Sequence, residues 1–414
     1  MTSASYQRTG PKFDRPGRRR SGGPALAGIL LLGAAVFAGA FILLWSVGSW
    51  LVGGGGFPGG DKGPVVAPTA LVPAAEYTME PLVDLRVFRD LSYVPVKGLY
   101  VSSYGAADPQ LFARVLGIAD RTEINALVID VKDDFGKVTY GADVPLATSL
   151  GLIDPRISDI EGLIATLREH DVTPIARLVC FKDDDLARKR PDLAVQSSKG
   201  GVWQDRKGLR YTNPYNREVW EYNVQVAEDA ARRGFREIQF DYVRFPSDGP
   251  VEDAVYPGEY TSKEDAIAAF LAYARERLEP LGVWVSADVF GVVVHAKNDQ
   301  GIGQLLEKMA RNVDLICPMV YPSHYGKGYY GITDPNADPY QLVKNAMTDT
   351  ATRLAGTGAK GRPWLQDFSL GGVKYGVEEV KAQIQAAEEQ GFDEWMLWDP
   401  ALQYMEAALR PAGL

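Results

Sequence analysis

The sequence is poor in the side chains that most often bind metals or carry covalent catalysis. It has two cysteines and three histidines in 414 residues. Cys180 and Cys317 are too few for a disulfide scaffold, and because both fall in apolar runs we expect buried, unpaired thiols. His170, His295 and His324 show no HExxH or other metal-ligand spacing. We therefore predict no metal ion and no other cofactor.

The sequence also lacks a net positive charge and a recognisable nucleophile motif. The net charge is −9, whereas a protein that binds nucleic acid needs a basic face, so nucleic acid is not expected as a partner. The sequence has no G-x-S-x-G nucleophile elbow. The remaining composition is ordinary, with 46% apolar and 23% charged residues, which predicts a globular protein and not a disordered chain.

Residues 24–52 form a long apolar stretch without a charged residue. One helix crosses about 30 Å of hydrocarbon with roughly 20 residues, so this stretch is long enough to span a membrane. Trp45 and Trp50 suit the membrane interface better than a signal-peptidase site. We predict a single-pass signal-anchor at 24–52, with the basic residues 1–23 in the cytoplasm and the remaining chain outside it. A cleaved signal peptide and a buried core helix are the alternatives.

The chain beyond this stretch divides into a linker and one domain. Residues 53–82 are predicted to be a linker, because their first part is rich in glycine and proline. The globular domain then covers 83–414, and in it short β-rich runs alternate with longer helical patterns. The eight runs are 97–104, 126–131, 173–180, 237–245, 283–290, 314–321, 363–368 and 394–398.

The segments between these runs have helical periodicity. Residues 109–121 and 217–233 place apolar side chains on one face, and Gly234, Gly282 and Gly391 stand where a glycine ends a helix. Eight strand–helix units in about 320 residues predict an α/β fold of the (β/α)8 TIM-barrel type. An open, doubly wound sheet is the alternative, but no glycine-rich phosphate loop follows the first run.

Acidic residues recur at or near the ends of five of the eight runs. A buried charge is costly unless it is paired or solvated, so the repetition predicts a shared polar site. Active sites of TIM barrels lie at this carboxyl end of the strands, where the long segments 181–216 and 246–262 are also expected. Asp399 is better explained as a helix cap, since Pro400 follows it. The five acids are Asp130, Asp241, Asp288, Asp367 and Asp399.

Asp241 and Asp288 are the predicted catalytic pair, because strands four and five are neighbours in a barrel. Cleavage of a glycosidic bond needs one protonated carboxyl and one carboxylate that attacks the sugar or activates water. Arg244 is predicted to keep Asp241 ionised, which makes Asp241 the nucleophile or stabilising anion and Asp288 the proton donor. Asp130 and Asp367 are alternatives for the second carboxylate, or they bind sugar hydroxyls.

Aromatic residues at the run ends offer flat apolar faces that suit sugar rings. Each of them is also a candidate for the hydrophobic core. Those near run ends or in the long third loop are Tyr104, Trp203, Tyr242, Tyr321, Tyr325, Trp364 and Trp398. The predicted substrate-binding residues are Asp130, Lys132, Arg244, Tyr321, Asp367 and Trp398.

Segments such as VIDVKDD (128–134) and FDYVRFPSD (240–248) resemble the bacterial "putative glycosyl hydrolase" domain family, long labelled a domain of unknown function. The resemblance extends over essentially the whole globular part. It implies a TIM barrel distantly related to retaining glycosidases of the α-amylase and α-galactosidase type. Their nucleophile, at the end of strand four, corresponds to Asp241, and Asp288 matches an acid/base on strand five. Gln239 stands where the α-amylase type has an arginine.

Two functions follow as hypotheses. The first is a glycoside hydrolase that acts on an envelope or extracellular polysaccharide. The second is a catalytically silent barrel that binds cell-wall glycan, and only the hydrolase needs both carboxyl groups to face one cleft. A deacetylase-like metalloenzyme would need an Asp-His-His cluster, which three scattered histidines do not supply.

Overall fold

The computed structural model describes residues 93–258 and 261–413. In this part of the chain, eight parallel strands form a closed barrel. They are β1 (Lys97–Val101), β2 (Ala126–Lys132), β3 (Thr173–Val179), β4 (Glu237–Asp241), β5 (Trp284–Phe290), β6 (Leu315–Met319), β7 (Trp364–Gln366) and β8 (Trp395–Trp398).

Each strand pairs with the next in chain order, and β8 pairs with β1, where Leu397 is in register with Leu99. Each of the eight predicted runs overlaps one of these strands, so the predicted barrel is confirmed. The strands are nearly continuous runs of buried residues, as expected for strands covered on both faces.

Helices cover the outside of the barrel between successive strands. After β8, the described chain forms a 3₁₀ turn at Glu406–Ala408 in the place where a regular (β/α)8 barrel has its last helix. The α-helices are α1 (Ser103–Ala107), α2 (Pro109–Arg121), α3 (Pro145–Leu150), α4 (Ile160–Glu169), α5 (Asp184–Lys189), α6 (Arg217–Arg233), α7 (Lys263–Leu278), α8 (Gly291–His295), α9 (Leu306–Ala310), α10 (Pro339–Leu354) and α11 (Val377–Glu389).

The ends of the helices follow local sequence signals. Asp108 caps α2 by accepting hydrogen bonds from the backbone of Gln110 and Leu111, and Pro109 occupies the first helical position. Gly234 ends α6 in a left-handed conformation with φ of 110°, which confirms its predicted role.

Loops at the carboxyl end of the barrel are tied together by short strands. Gln196–Ser197, after β3, pairs with Ala254–Val255, after β4. The two long segments predicted to lie at this face therefore contact each other. Other short strands are Val138–Tyr140 and Ile153–Ile157, which extend the sheet beyond β2, and Lys360–Gly361, which pairs with β6.

The polarity of the barrel interior changes along β4. At its amino end, Glu237 pairs with the fully buried Arg362, with 2.9 Å between the charged atoms. Two residues further on, Gln239 lies against the sulfur atoms of Cys317 and Met396. Two more residues lead to Asp241, at the carboxyl end. Side chains alternate along a strand, so all three point into the barrel.

The two cysteines are buried and unpaired, as predicted. The predicted signal-anchor at 24–52 and linker at 53–82 lie outside the described residues. Among the described residues, the helices are all too short or too polar to cross a membrane.

Candidate active site

One arginine stands at the centre of the acidic side chains at the carboxyl end of the barrel. Arg177, on β3, is fully buried. Its Nη1 lies 2.7 Å from Asp130 Oδ1 on β2, and its Nε lies 3.0 Å from Asp241 Oδ2 on β4. Its Nη2 also approaches Asp134 Oδ1, at 3.4 Å. A single guanidinium therefore binds three carboxylates from neighbouring parts of the barrel wall.

Strand register explains why these groups meet. Asp130 pairs directly with Arg177, and Asp241 pairs with Val179, two residues further along β3. Residues two apart on a strand share a face. Arg177 can therefore reach the acids of both neighbouring strands from inside the barrel.

Two stacked aromatic rings support this arginine. The rings of Tyr100 and Trp398 lie 3.8 Å apart with an interplanar angle of 20°. The Arg177 guanidinium carbon lies 5.8 Å from the first ring and 5.1 Å from the second, which is within the range of a cation–π contact. Tyr100 also donates a hydrogen bond of 2.6 Å to Asp130. The guanidinium is thus fixed in position by rings as well as by carboxylates.

The chain turns sharply immediately after Asp241. Tyr242 has a left-handed backbone with φ of 49°, which is uncommon for an aromatic residue and costs on the order of 1–3 kcal/mol. In this conformation its N–H donates to Asp241 Oδ1 at 2.6 Å. The Lys182 ammonium lies 3.4 Å from the Tyr242 hydroxyl and 4.5 Å from the centre of its ring. Such strain is typical of functional sites.

Asp288 follows Asp241 on the next strand of the barrel. The last backbone pair between β4 and β5 joins Phe240 to Ala287, so the two acids come next on adjacent strands. Asp288 is only 1% exposed, and its Oδ1 accepts a hydrogen bond of 2.8 Å from Trp364 Nε1. Burial and the neighbouring charge of Asp241 raise the pKa of Asp288 well above its ordinary value, although Trp364 and Arg177 oppose the shift.

The two other acids bound to Arg177 have different surroundings. Burial raises the pKa of Asp130 to about 6, because it outweighs the opposing effect of Arg177. Burial also disfavours the charge of Asp134, but Arg177 and Lys182 outweigh it, so the pKa of Asp134 is lowered. The cluster therefore contains carboxyl groups with clearly separated affinities for protons.

Two further predicted site residues lie at this cluster. Trp398 is the ring described above, and its edge packs on Trp364 with ring centres 5.4 Å apart. Tyr321 is buried, and its pKa is raised by burial and by the negative charges of Asp288 and Asp241. Both rings therefore line the acidic end of the barrel.

Asp367 binds the C-terminal segment. Its Oδ2 accepts a hydrogen bond of 2.9 Å from the backbone of Met405. Burial and, to a smaller extent, the charge of Asp399 raise the pKa of Asp367 to about 8 against the effect of that hydrogen bond. Asp399 accepts from the backbone of Ala401 and Gln403. Asp399 thus caps a turn, whereas the helix that it was predicted to cap is not formed in the described residues.

Lys132 lies apart from the acidic cluster. The pairing between β2 and β3 shifts between Asp130 and Lys132, and such a bulge sends the second side chain to the other face of the wall. Lys132 is fully buried, where it pairs with Asp183 at 2.7 Å and donates to Asn223 at 2.9 Å. A role in holding the loop after β3 fits this position better than the predicted contact with substrate.

Arg244 does not hold Asp241 in the way the sequence suggested. Its guanidinium donates to the backbone oxygen of Phe245 and, at 2.9 Å, to Ser247. It also lies 4.4 Å from the ring centre of Phe290. The cation that pairs with Asp241 is Arg177, because cross-strand register and not proximity in sequence determines the contact.

Sequence reasoning missed Arg177 and Tyr100, and it considered Trp364 only as one of several aromatics. A signal for Arg177 was present, since it is the one charged residue in the apolar run TPIARLVC. Among the described residues, no group of three or more His, Cys, Asp or Glu side chains is arranged to hold a metal ion. The site is therefore built from carboxyl groups, one guanidinium and aromatic rings.

The chain belongs to the family described as "Putative glycosyl hydrolase domain", whose model matches residues 98–404. The match covers about three quarters of the chain and reaches from β1 past β8. It confirms the resemblance seen in the sequence. No curated protein matches the chain.

Solved structures with similar folds include glycoside hydrolase domains. The PgaB (BpsB) glycoside hydrolase domain from Bordetella bronchiseptica has a TM-score of 0.56 and 13% identity, covering 77% of this chain and 99% of that one. The glycoside hydrolase domain of PelA from Pseudomonas aeruginosa has a TM-score of 0.44 and 12% identity, covering 75% and 96%. A hypothetical protein from Ruminiclostridium thermocellum is 39% identical with a TM-score of 0.43, covering 46% and 97%. The Bordetella domain shows that the barrel fold is shared.

Replacement of Asp288 by asparagine is expected to stabilise the domain at neutral and alkaline pH. Because the folded-state pKa of Asp288 is raised, its contribution to stability is full below the ordinary aspartate pKa and is lost as the pH rises through the raised value. The amide of the Asp288→Asn variant stays neutral at every pH and keeps an acceptor for Trp364. We expect the variant to melt roughly 2 °C or more above the wild type near pH 8, with a smaller difference near pH 4.

Thermal unfolding followed by circular dichroism across this pH range measures the effect. Asp108→Asn, at the exposed cap of α2, is the matched control, because asparagine caps helices as well as aspartate does. A variant at Asp288 that is less stable than the wild type at alkaline pH would show that the carboxyl is held ionised.

Proposed function

We propose that this protein is a glycoside hydrolase that acts on an envelope or extracellular polysaccharide. Membership of the glycosyl hydrolase family and the barrel fold support a carbohydrate substrate. The observation that carries the proposal is the placement of Asp241 and Asp288 on adjacent strands in opposite electrostatic surroundings. Such a difference assigns one carboxyl group as the proton donor and the other as the nucleophile or base.

In this proposal Asp288 is the proton donor. Its raised pKa favours the protonated carboxyl, and that proton passes to the glycosidic oxygen as the bond to the sugar carbon breaks. The hydrogen bond from Trp364 to Oδ1 leaves Oδ2 to carry the proton. Trp364 therefore orients the acid.

Asp241 supplies the negative charge on the other side of the reaction. Its carboxylate accepts from Arg177 and from the Tyr242 backbone, which fixes its orientation. It then either attacks the sugar carbon directly or removes a proton from the water that attacks. As positive charge develops on the sugar ring, the fixed carboxylate stabilises it without reorganisation of the site.

The catalytically silent, glycan-binding barrel is the second candidate, and one observation favours it. Asp241 and Asp288 are only 5% and 1% exposed, so little of either carboxyl reaches solvent. A barrel that binds glycan through its rim would need no access to them. Measurement of turnover separates the two functions, because only the hydrolase depends on Asp241.

Asp241→Asn is expected to abolish the release of reducing sugar without unfolding the domain. Asparagine keeps the shape but cannot act as nucleophile or base, so we expect a rate loss of roughly a thousand-fold or more. Arg177 keeps Asp130 and Asp134 as partners, so its charge stays compensated. The assay uses the full chain on a panel of purified envelope glycans and exopolysaccharides.

Asp399→Asn is the matched control, because this acid also ends a barrel strand but only caps a turn. We expect it to retain activity. Equal turnover by the wild type and Asp241→Asn would remove Asp241 from the mechanism. Binding without turnover by both would favour the silent barrel.

We further propose that the barrel lies outside the cytoplasm, attached to the cell membrane by the apolar stretch at 24–52. The length of that stretch and the basic residues before it support this location. An external polysaccharide would then be within reach of the barrel.

Fractionation of bacterial cells tests the location. The full chain should sediment with membranes, and protease added to spheroplasts should degrade the barrel. Deletion of 24–52 should prevent both outcomes. A full chain that is found in the soluble fraction and resists external protease would contradict the anchor.

A further inference from the structure

Two exposed aromatic rings stand at the rim of the barrel near the acidic cluster. Tyr104 is 67% exposed and lies in α1, directly after β1. Phe135 is 46% exposed and lies in the turn after β2. Both rings therefore belong to loops at the carboxyl end of neighbouring strands, the end that carries Asp241.

Tyr104 is held in place from one side. The guanidinium carbon of Arg156 lies 4.4 Å from the centre of the Tyr104 ring, in a cation–π contact. Arg156 is itself fixed by Asp133 at 2.7 Å, by Asp154 at 2.8 Å and by the hydroxyl of Ser103 at 2.9 Å. A ring that is fixed before binding loses little conformational freedom when a ligand covers its open face.

The loop after β2 connects this ring to the acidic cluster. Asp133 binds Arg156, which packs on Tyr104, and the next residue, Asp134, binds Arg177. Phe135 follows directly, with its N–H bonded to Asp133. The turn at 133–135 therefore links the exposed Phe135 ring and the partly exposed Asp134 carboxylate to Arg177 in the acidic cluster.

We propose that Tyr104 is the stacking platform of a sugar-binding subsite at the barrel mouth, with Phe135 on the loop of the neighbouring strand. This inference rests on the proposed function and adds to it the position at which the substrate chain is bound outside the acidic cluster. The ligand is one pyranose ring of the substrate chain. Its C–H face covers the open face of Tyr104, and Asp134 accepts from its hydroxyls.

The surroundings favour a sugar over a protein partner. A stable protein interface needs roughly 1,000 Å² of buried surface with an apolar centre. Here each ring has a charged group next to it, since Arg156 packs on Tyr104 and Asp133 accepts a hydrogen bond from the backbone of Phe135. Isolated aromatic faces among hydrogen-bonding groups match the alternating C–H faces and hydroxyls of a sugar ring.

The test measures binding in the full-length Asp241→Asn chain, so that turnover does not interfere. The probes are chitohexaose, cellohexaose, maltohexaose and purified peptidoglycan. Calorimetry measures binding of the three soluble oligosaccharides, and co-sedimentation measures binding to the insoluble peptidoglycan. Addition of Tyr104→Ala should lower the affinity for whichever glycan the parent binds by roughly 3- to 10-fold, the loss expected for one stacking contact. Tyr104→Phe should keep the affinity. Because Tyr104 is largely exposed, both variants should melt like the parent.

Val94→Ala is the matched control, since Val94 is 58% exposed and lies before β1, at the opposite end of the barrel. It should bind like the parent. Unchanged binding by Tyr104→Ala, or equal losses in Tyr104→Ala and Tyr104→Phe, would overturn the stacking role but leave the proposed function intact. A parent that binds none of the four glycans would count against the proposed function, and the subsite would fall with it.

Discussion

A buried guanidinium that binds three carboxylates is the interaction on which this site depends. An unpaired charge in a dry barrel interior is strongly unfavourable. Removal of one member of a buried ion pair leaves the other uncompensated, at a cost of about 3–5 kcal/mol. Arg177 binds Asp130, Asp134 and Asp241 together, with the rings of Tyr100 and Trp398 against it. The acids can therefore face one another inside the barrel and remain in fixed positions.

The compensation is uneven, and this unevenness gives the site its chemistry. Asp288 lies beside these carboxylates, but its partner is the indole N–H of Trp364, whereas the partner of Asp241 is the Arg177 guanidinium. Burial and the charge of Asp241 therefore raise the pKa of Asp288 well above its ordinary value. Closure of the sheet is essential to this arrangement, because only in a closed barrel do β3, β4, β5 and β7 all aim side chains at one interior. The fold thus brings Arg177, Asp241, Asp288 and Trp364 together from four different strands.

The sequence was sufficient for the fold and for part of the site. Apolar runs identify the eight strands, and adjacency of strands four and five predicts that Asp241 and Asp288 are neighbours. Register cannot be read from the sequence, so proximity along the chain predicts Arg244 as the partner of Asp241, whereas the structure pairs Asp241 with Arg177. The bulge in β2 likewise turned Lys132 away from the cluster. Both errors come from contacts between strands, which no local pattern specifies.

The protonation state of Asp288 at neutral pH tests the account most directly. Infrared spectroscopy detects the C=O stretch of a protonated carboxyl group separately from the bands of ionised carboxylates. We predict that the spectrum of the wild type near pH 7 contains absorption from a protonated Asp288 that is lost in Asp288→Asn, while the absorption of Asp367, whose pKa is raised to about 8, remains. The same band should persist in Asp399→Asn, because that carboxyl only caps a turn. Identical protonated-carboxyl intensity in the wild type and Asp288→Asn would contradict the assignment of Asp288 as the proton donor.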